Sequence, residues 1–209
     1  IDWTHTASMQ CDLIKPFTKW TAEPVTLQSA IDSMLRANKI STSAPNGPTY
    51  VSLDLGLQED KIPNNLVIPQ ASDKRYHAPD PVAPNANNIS HGVKLLLEAE
   101  NPLIVGGRFG RNSDTGNILT ELVELTGASY VEDRAVVCIP TFHPQNLNGD
   151  MSIRQNADLI LAIDCVDIAT VANAHNKDLR GRKGQKIIEI SLENFMPSSW
   201  SNAGGPQAA

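Results

Sequence analysis

Arg108 and Arg111 stand beside a glycine turn in the stretch NPLIVGGRFGRN, residues 101–112. Two guanidinium groups next to backbone that can bend sharply suit the charge of a phosphate, with solvent-facing loop charges as the equal competing reading. The glycines are Gly106, Gly107 and Gly110, so the pattern falls short of a full G-x-G-x-x-G. Asp164 and Asp167 flank the end of an apolar run at Ile163. Carboxylates there can hold a ribose or an amine, or cap a helix over 168–174. A dinucleotide fold presents a ribose acceptor that ends the next strand roughly 20 residues after the turn; no acidic residue ends that strand cleanly here, and Glu132 is the only candidate. His143, before Pro144, reads as a turn-stabilising residue more readily than as a catalyst. No phosphate loop of the G-x-x-x-x-G-K type, zinc-binding H-E-x-x-H or G-x-S-x-G elbow occurs.

The elements around these residues follow from apolar spacing. Pro102 stops a preceding helix, and Leu103, Ile104 and Val105 make a strand buried on both faces. A helix then begins near Thr115 with Ser113 or Asp114 as its cap. Ile118, Leu119, Leu122, Val123 and Leu125 are its expected buried residues, and Gly127 ends it. Before the turn, a helix from Asn87 presents Ile89, Val93, Leu96 and Leu97 as one face. Further strands are expected at 128–131, 158–163 and 185–190, with a short helix at 153–156. The segment 136–142 carries Pro140 and reads as loop or edge. Strands alternating with helices in this way predict an α/β fold, a Rossmann-like parallel sheet with helices on both faces.

Ahead of that lies a different organisation. Residues 1–19 read as loop with a short strand near Cys11 to Ile14. Leu27, Ala30, Ile31, Met34 and Leu35 then fall at helical spacing behind a Thr26 cap, and a strand follows over 49–53. Helix, turn and strand look like the terminal αβ piece of another α/β domain. Pro63, Pro69, Pro79, Pro81 and Pro84 punctuate a stretch without periodicity. The expected division is 1–56 for this first piece, 57–86 for a linker, 87–200 for the central domain and 201–209 for a tail.

Bulk properties remove whole classes of function. A net charge of −6 with no basic run argues against a nucleic-acid partner. No stretch reaches the apolar length of a membrane span. Cys11, Cys138 and Cys165 are odd in number and form no C-x-x-C pair, so reduced thiols of a cytoplasmic protein are expected, without a zinc site. The 209 residues do not begin with Met, and both ends look cut from something longer.

Several runs occur in a telling order: LIKPFTKW at 13–20, GPTYVSLD at 47–54, LLLEAENPLIVGGR at 95–108, TGA at 126–128, HP at 143–144 and ADLIL at 157–161. Together they resemble the thiamine-diphosphate-dependent enzymes, nearest the acetolactate-synthase-like branch. The match covers the end of the pyrimidine-binding domain and most of the central domain. The resemblance implies C–C bond chemistry on a 2-keto acid or aldehyde, with thiamine diphosphate and Mg²⁺ as cofactors and a homo-oligomeric parent enzyme. In the family, the activating glutamate and the Gly-Asp-Gly…Asn-Asn-type motif that holds diphosphate and metal lie outside a segment of this kind, so the chain alone is expected to be inactive. No metal ligand is assigned.

His5 and Thr6 fall where acetolactate synthases carry a Phe-Gln pair bordering the active site, which implies an altered pocket and a substrate other than pyruvate. The central-domain crevice of such enzymes holds a nucleotide in some members. Gly106, Gly107, Arg108 and Arg111 are therefore candidates for a weak nucleotide or anion site, while residues 162–167 depart from the pattern of flavin-bearing members and argue against FAD. The alternative is a nucleotide-binding or regulatory module without catalysis. A complete NAD-dependent oxidoreductase is disfavoured by the broken glycine fingerprint.

Overall fold

The computed structural model describes residues 7–108, 113–133, 138–150, 152–166 and 184–192. They divide into two units, Ile1–Ala83 and Pro84–Ala209.

In the first unit, helix α1 (Gln10–Ile14) leads through a 3-10 turn to strand β1 (Trp20–Ala22). The strand expected near Cys11 is thus a helix: Leu13 N–H donates to Met9 O at 3.1 Å, and the strand lies six residues beyond Ile14. Residues 7–19 show neither helical nor strand periodicity, so local pattern could not decide between the two. Helix α2 (Leu27–Thr42) starts where expected, with the Thr26 hydroxyl accepting from Ser29 N–H at 3.1 Å. Strand β2 (Thr49–Val51) pairs in parallel with β1. Lys19 ties this unit together, its ammonium donating to the carbonyls of Ile40, Ser43 and Pro45 at 2.7–2.9 Å. All three ammonium donors are thereby used at the negative end of α2. A short helix, α3 (Leu55–Glu59), follows, and the proline-rich segment then runs along α2. Gln28 exchanges both amide bonds with the backbone of Val67, and Lys39 Nζ donates to Arg75 O at 2.8 Å.

The second unit contains α4 (Ala86–Glu98), β3 (Pro102–Gly106), α5 (Ser113–Thr126), β4 (Ser129–Glu132), α6 (Ser152–Asn156), β5 (Leu159–Ile163) and β6 (Lys186–Ile190). The four strands form one parallel sheet in the order β4-β3-β5-β6. Parallel strands need both faces covered, and their near-continuous apolar composition meets that need. Leu103, Val105, Val131, Ile160 and Ala162 pack on one face with Ile153 of α6. Ile104, Tyr130 and Leu161 pack on the other with Leu96 of α4 and with Leu119 and Val123 of α5. Gly127 ends α5 with φ 63°, the left-handed conformation that glycine adopts without strain.

Three expectations need correction here. Helix α5 already includes Ser113 and Asp114, so neither is its cap; residue 112 lies outside the described residues. Ile118 and Leu125 are exposed while Leu119 and Val123 are buried. On α4, Leu96 packs but Ile89, Val93 and Leu97 do not. The physical reason is shared by both helices. A sheet buries a stripe only about 100° wide, so a helix with apolar residues over a broader arc leaves one flank in solvent. The helix expected at 168–174 lies outside the described residues.

Asp158 joins the amino ends of two strands. Its carboxylate oxygens accept the N–H groups of Glu100 and Asn101 at 2.8 and 2.9 Å. Burial alone would raise its pKa, but these N–H groups outweigh burial and hold it below the usual carboxylate value. A depressed folded-state pKa contributes stability that is present above the unfolded value, near ~3.9, and is lost as pH falls through the folded value. Asp158→Ala should therefore cost about 1 kcal/mol at neutral pH, and the gap to the parent should narrow in acid. Thermal melts at pH 7 and near pH 2.5 check this; an equal gap at both would contradict the assignment.

Candidate active-site wall and crevice

In a sheet of order β4-β3-β5-β6, the chain leaves β3 toward β4 and returns on the other side at β5. The carboxyl ends of β3 and β5 therefore form the switch point at which α/β folds place ligands. Gly106, Gly107, Arg108 and Asp164 meet there.

The glycines serve close packing at this point. A Cβ on Gly107 would fall onto the Asp164 carbonyl and 2.7 Å from Cys165 N, while one on Gly106 would strike the Tyr130 phenol. Gly107 N–H donates to Ile163 O at 2.8 Å and Arg108 N–H to Asp164 O at 3.0 Å. These two backbone donors of the turn are thus engaged by the end of β5 and by the residue after it. Arg108 Nη2 lies 2.9 Å from Asp164 Oδ1, in a pair whose side chains are each about 30% exposed (30% and 29%), and Ser191 Oγ donates to the same oxygen at 3.3 Å. Asp164 holds φ 49°, a conformation Asp tolerates better than most residues.

Around this point lies a polar rim, of which the sequence singles out Glu132 but not Asp133. Asp133 Oδ2 accepts Val166 N–H at 2.9 Å, linking β4 to the residues after β5. Glu132 Oε2 accepts from Asn148 Nδ2 at 2.8 Å. The Tyr130 hydroxyl is fully buried, and burial, chiefly, raises its pKa. Cys165 is buried too, and desolvation followed by the charge of Asp133 pushes its thiol up to about 12, so it is no ready nucleophile. The signal for the rim was present in SYVED at 129–133, since residues closing a parallel strand face the crevice.

His143 lies elsewhere. Its Nδ1 accepts Gln145 N–H at 3.3 Å, which leaves the proton on Nε2 facing Glu124 Oε1 at 3.3 Å. This is a loop-fixing role. Arg111, Asp167, His5 and Thr6 lie outside the described residues. The carboxyl ends of β1 and β2 carry a second polar group. Gln10 Oε1 accepts from the Tyr50 and Ser52 hydroxyls at 2.9 and 3.3 Å, and Cys11 N–H donates to Glu23 Oε1 at 3.3 Å. Burial and then Glu23 raise the Cys11 thiol pKa. Among the described residues, no group of three or more His, Cys, Asp or Glu could hold a metal ion. Nor is any described helix long and apolar enough to cross a membrane.

No family model matches the chain. It is 26% identical over 161 residues to 2-hydroxyacyl-CoA lyase 1 of Dictyostelium discoideum, a match spanning 76% of this chain and 27% of that protein. An X-ray structure described as a thiamin diphosphate-dependent enzyme isolated from Mycobacterium smegmatis shares the fold, with a TM-score of 0.64 at 17% identity over 85% of this chain and 34% of that one. The thiamine-diphosphate superfamily resemblance is borne out. The chain spans about a quarter of the curated relative's length.

Proposed function

We propose that this chain is part of a thiamine-diphosphate-dependent enzyme that makes or breaks a C–C bond next to a carbonyl, on a 2-keto acid, an aldehyde or a related 2-hydroxyacyl compound. The observation that carries this reading is the alignment to 2-hydroxyacyl-CoA lyase 1 along 76% of the chain. The parallel sheet agrees with it. The acetolactate-synthase-like branch belongs to the same class of chemistry, and His5 and Thr6, in place of that branch's Phe-Gln pair, favour a substrate other than pyruvate.

Thiamine diphosphate and Mg²⁺ do not fit the described residues, which offer no acidic cluster for the metal. The piece acts as structure: the carboxyl edge of the first unit, with Gln10, Tyr50 and Ser52, supplies one wall of a pocket. The parent enzyme is proposed to be a cytoplasmic homo-oligomer. The protein encoded by the complete reading frame should release aldehyde from 2-keto acids or 2-hydroxyacyl thioesters only when thiamine diphosphate and Mg²⁺ are supplied. Turnover independent of the cofactor would sink the reading.

For the crevice we propose weak anion binding by the guanidinium groups of Arg108 and Arg111, without stoichiometric FAD. The engaged N–H groups of Gly107 and Arg108 support this, because a dinucleotide's pyrophosphate would find those donors spent. Sulfate and ADP at millimolar concentration should raise the melting temperature by similar small amounts. Purified protein with flavin absorbance near one per chain would contradict it.

A further inference from the structure

Gln10 opens α1 with its side-chain amide already oriented. Its Oε1 accepts the Tyr50 hydroxyl at 2.9 Å and the Ser52 hydroxyl at 3.3 Å, two donors that alternation along the chain puts on one face of β2. Thr49, one position earlier, turns the other way and donates its hydroxyl to Ala37 O of α2 at 3.3 Å. Gln10 therefore belongs to the face of the β1–β2 sheet that α2 leaves. Cys11 fixes the start of α1 to the carboxyl end of β1: its N–H donates to Glu23 Oε1 at 3.3 Å and its Sγ to Ala22 O at 3.4 Å.

With its oxygen held by two hydroxyls, the planar amide carries its nitrogen on the opposite arm. The two N–H groups there meet no acceptor among the described residues. They stand at the carboxyl ends of two parallel strands, the edge at which α/β folds receive ligands. A donor ordered before the ligand arrives loses little further freedom when it is used.

We propose that the Gln10 amide nitrogen is a specificity donor to the substrate, binding an acceptor oxygen on C1, the carbon next to the reacting one. In a 2-keto acid that oxygen belongs to the carboxylate; in a 2-hydroxyacyl thioester it is the thioester carbonyl. The inference deepens the C–C bond reading given above and rests on it. An amide nitrogen can only donate, which selects an acceptor, and being uncharged it serves an anionic and a neutral oxygen alike. An aldehyde has no such oxygen beside its reacting carbon, so Gln10 sorts substrates by what C1 carries.

The test uses the protein encoded by the complete reading frame, supplied with thiamine diphosphate and Mg²⁺, and two probes on one carbon skeleton. Cleavage of 2-oxobutanoate yields propanal and carbon dioxide, and cleavage of 2-hydroxybutanoyl-coenzyme A yields propanal and formyl-coenzyme A, so one aldehyde assay reads both. Gln10→Leu removes both donors and should raise KM about tenfold for each probe that is turned over, with kcat little changed. Gln10→Glu puts a carboxylate in place of the donors. It should raise the 2-oxobutanoate KM well beyond that of the Leu variant, by repulsion of the C1 carboxylate, and leave the thioester KM near the Leu value. A merely structural role would move both probes alike in both variants, and circular dichroism checks that each variant is folded. An unchanged KM in Gln10→Leu, a loss confined to kcat, or a Glu variant that treats the two probes alike would overturn the role of Gln10 and leave the C–C bond reading standing. A wild-type protein that releases propanal from neither probe, or releases it without the cofactor, would overturn that reading and the inference with it.

Discussion

Replacing Ile160 with Asp unfolds the second unit. Ile160 has no exposed surface and sits in β5, the strand flanked by β3 on one side and β6 on the other, in register with Leu103 and Ile187. The cluster on that face is Leu103, Val105, Val131, Ala157, Ala162 and Cys165, whose one polar side-chain group is a thiol already directed at Val105 O at 3.6 Å. An unpaired carboxylate there costs several kcal/mol, or takes up a proton and still leaves a polar group unsatisfied. A domain whose whole stability is on the order of 5–15 kcal/mol cannot absorb that together with the lost packing. Ile160→Val, which removes one methylene, should cost only about 1 kcal/mol and retain the fold. Thermal melts followed by far-ultraviolet circular dichroism separate the two. An Asp variant that melts with the parent would show that β5 is not interior.

The second large effect is expected at Gly107. Valine there would drive its Cβ onto the Asp164 carbonyl, so β3 and β5 would have to part where Gly107 and Arg108 bond to Ile163 and Asp164. Steric overpacking costs typically 1–3 kcal/mol, and each backbone bond lost adds about 1 kcal/mol. Gly107→Val should therefore lower stability by roughly 3 kcal/mol or more. Gly149→Ala is the matched control, since nothing lies within 4 Å of a Cβ at that position. Urea titrations of the two variants should differ sharply. A Gly107→Val protein as stable as the control would mean that the turn is more open than its geometry implies.

That effect explains why the glycine turn was only half legible. The sequence pattern identifies strand, turn and helix correctly, because Leu103, Ile104 and Val105 can only be buried and Pro102 cannot continue a helix. It could not tell whether Gly107 makes room for a ligand or for a neighbouring strand, because Asp164 is more than fifty residues away. The Arg108–Asp164 pair is hidden for the same reason.

Burial within helices divides likewise. Thr26, Gly127 and the strand runs announce themselves, since caps, left-handed ends and continuous apolar stretches are local properties. The choice between Leu96 and Leu97, or between Leu119 and Ile118, is made by the sheet's position against the helix, and a helix that is apolar over a broad arc does not carry that information. The first unit shows the limit most plainly. Residues Gln10 to Ile14 have no period at all, and their helical form is fixed by contacts to Ala22 and Glu23 across the chain.

In the framework role proposed above, this chain does not itself hold thiamine diphosphate. The most direct test is a calorimetric titration of thiamine diphosphate into the purified 209-residue chain with and without Mg²⁺. No saturable heat is expected in either case, because the described residues include no group of three or more His, Cys, Asp or Glu able to hold the metal. Tight binding that requires Mg²⁺, at one cofactor per chain, would contradict it.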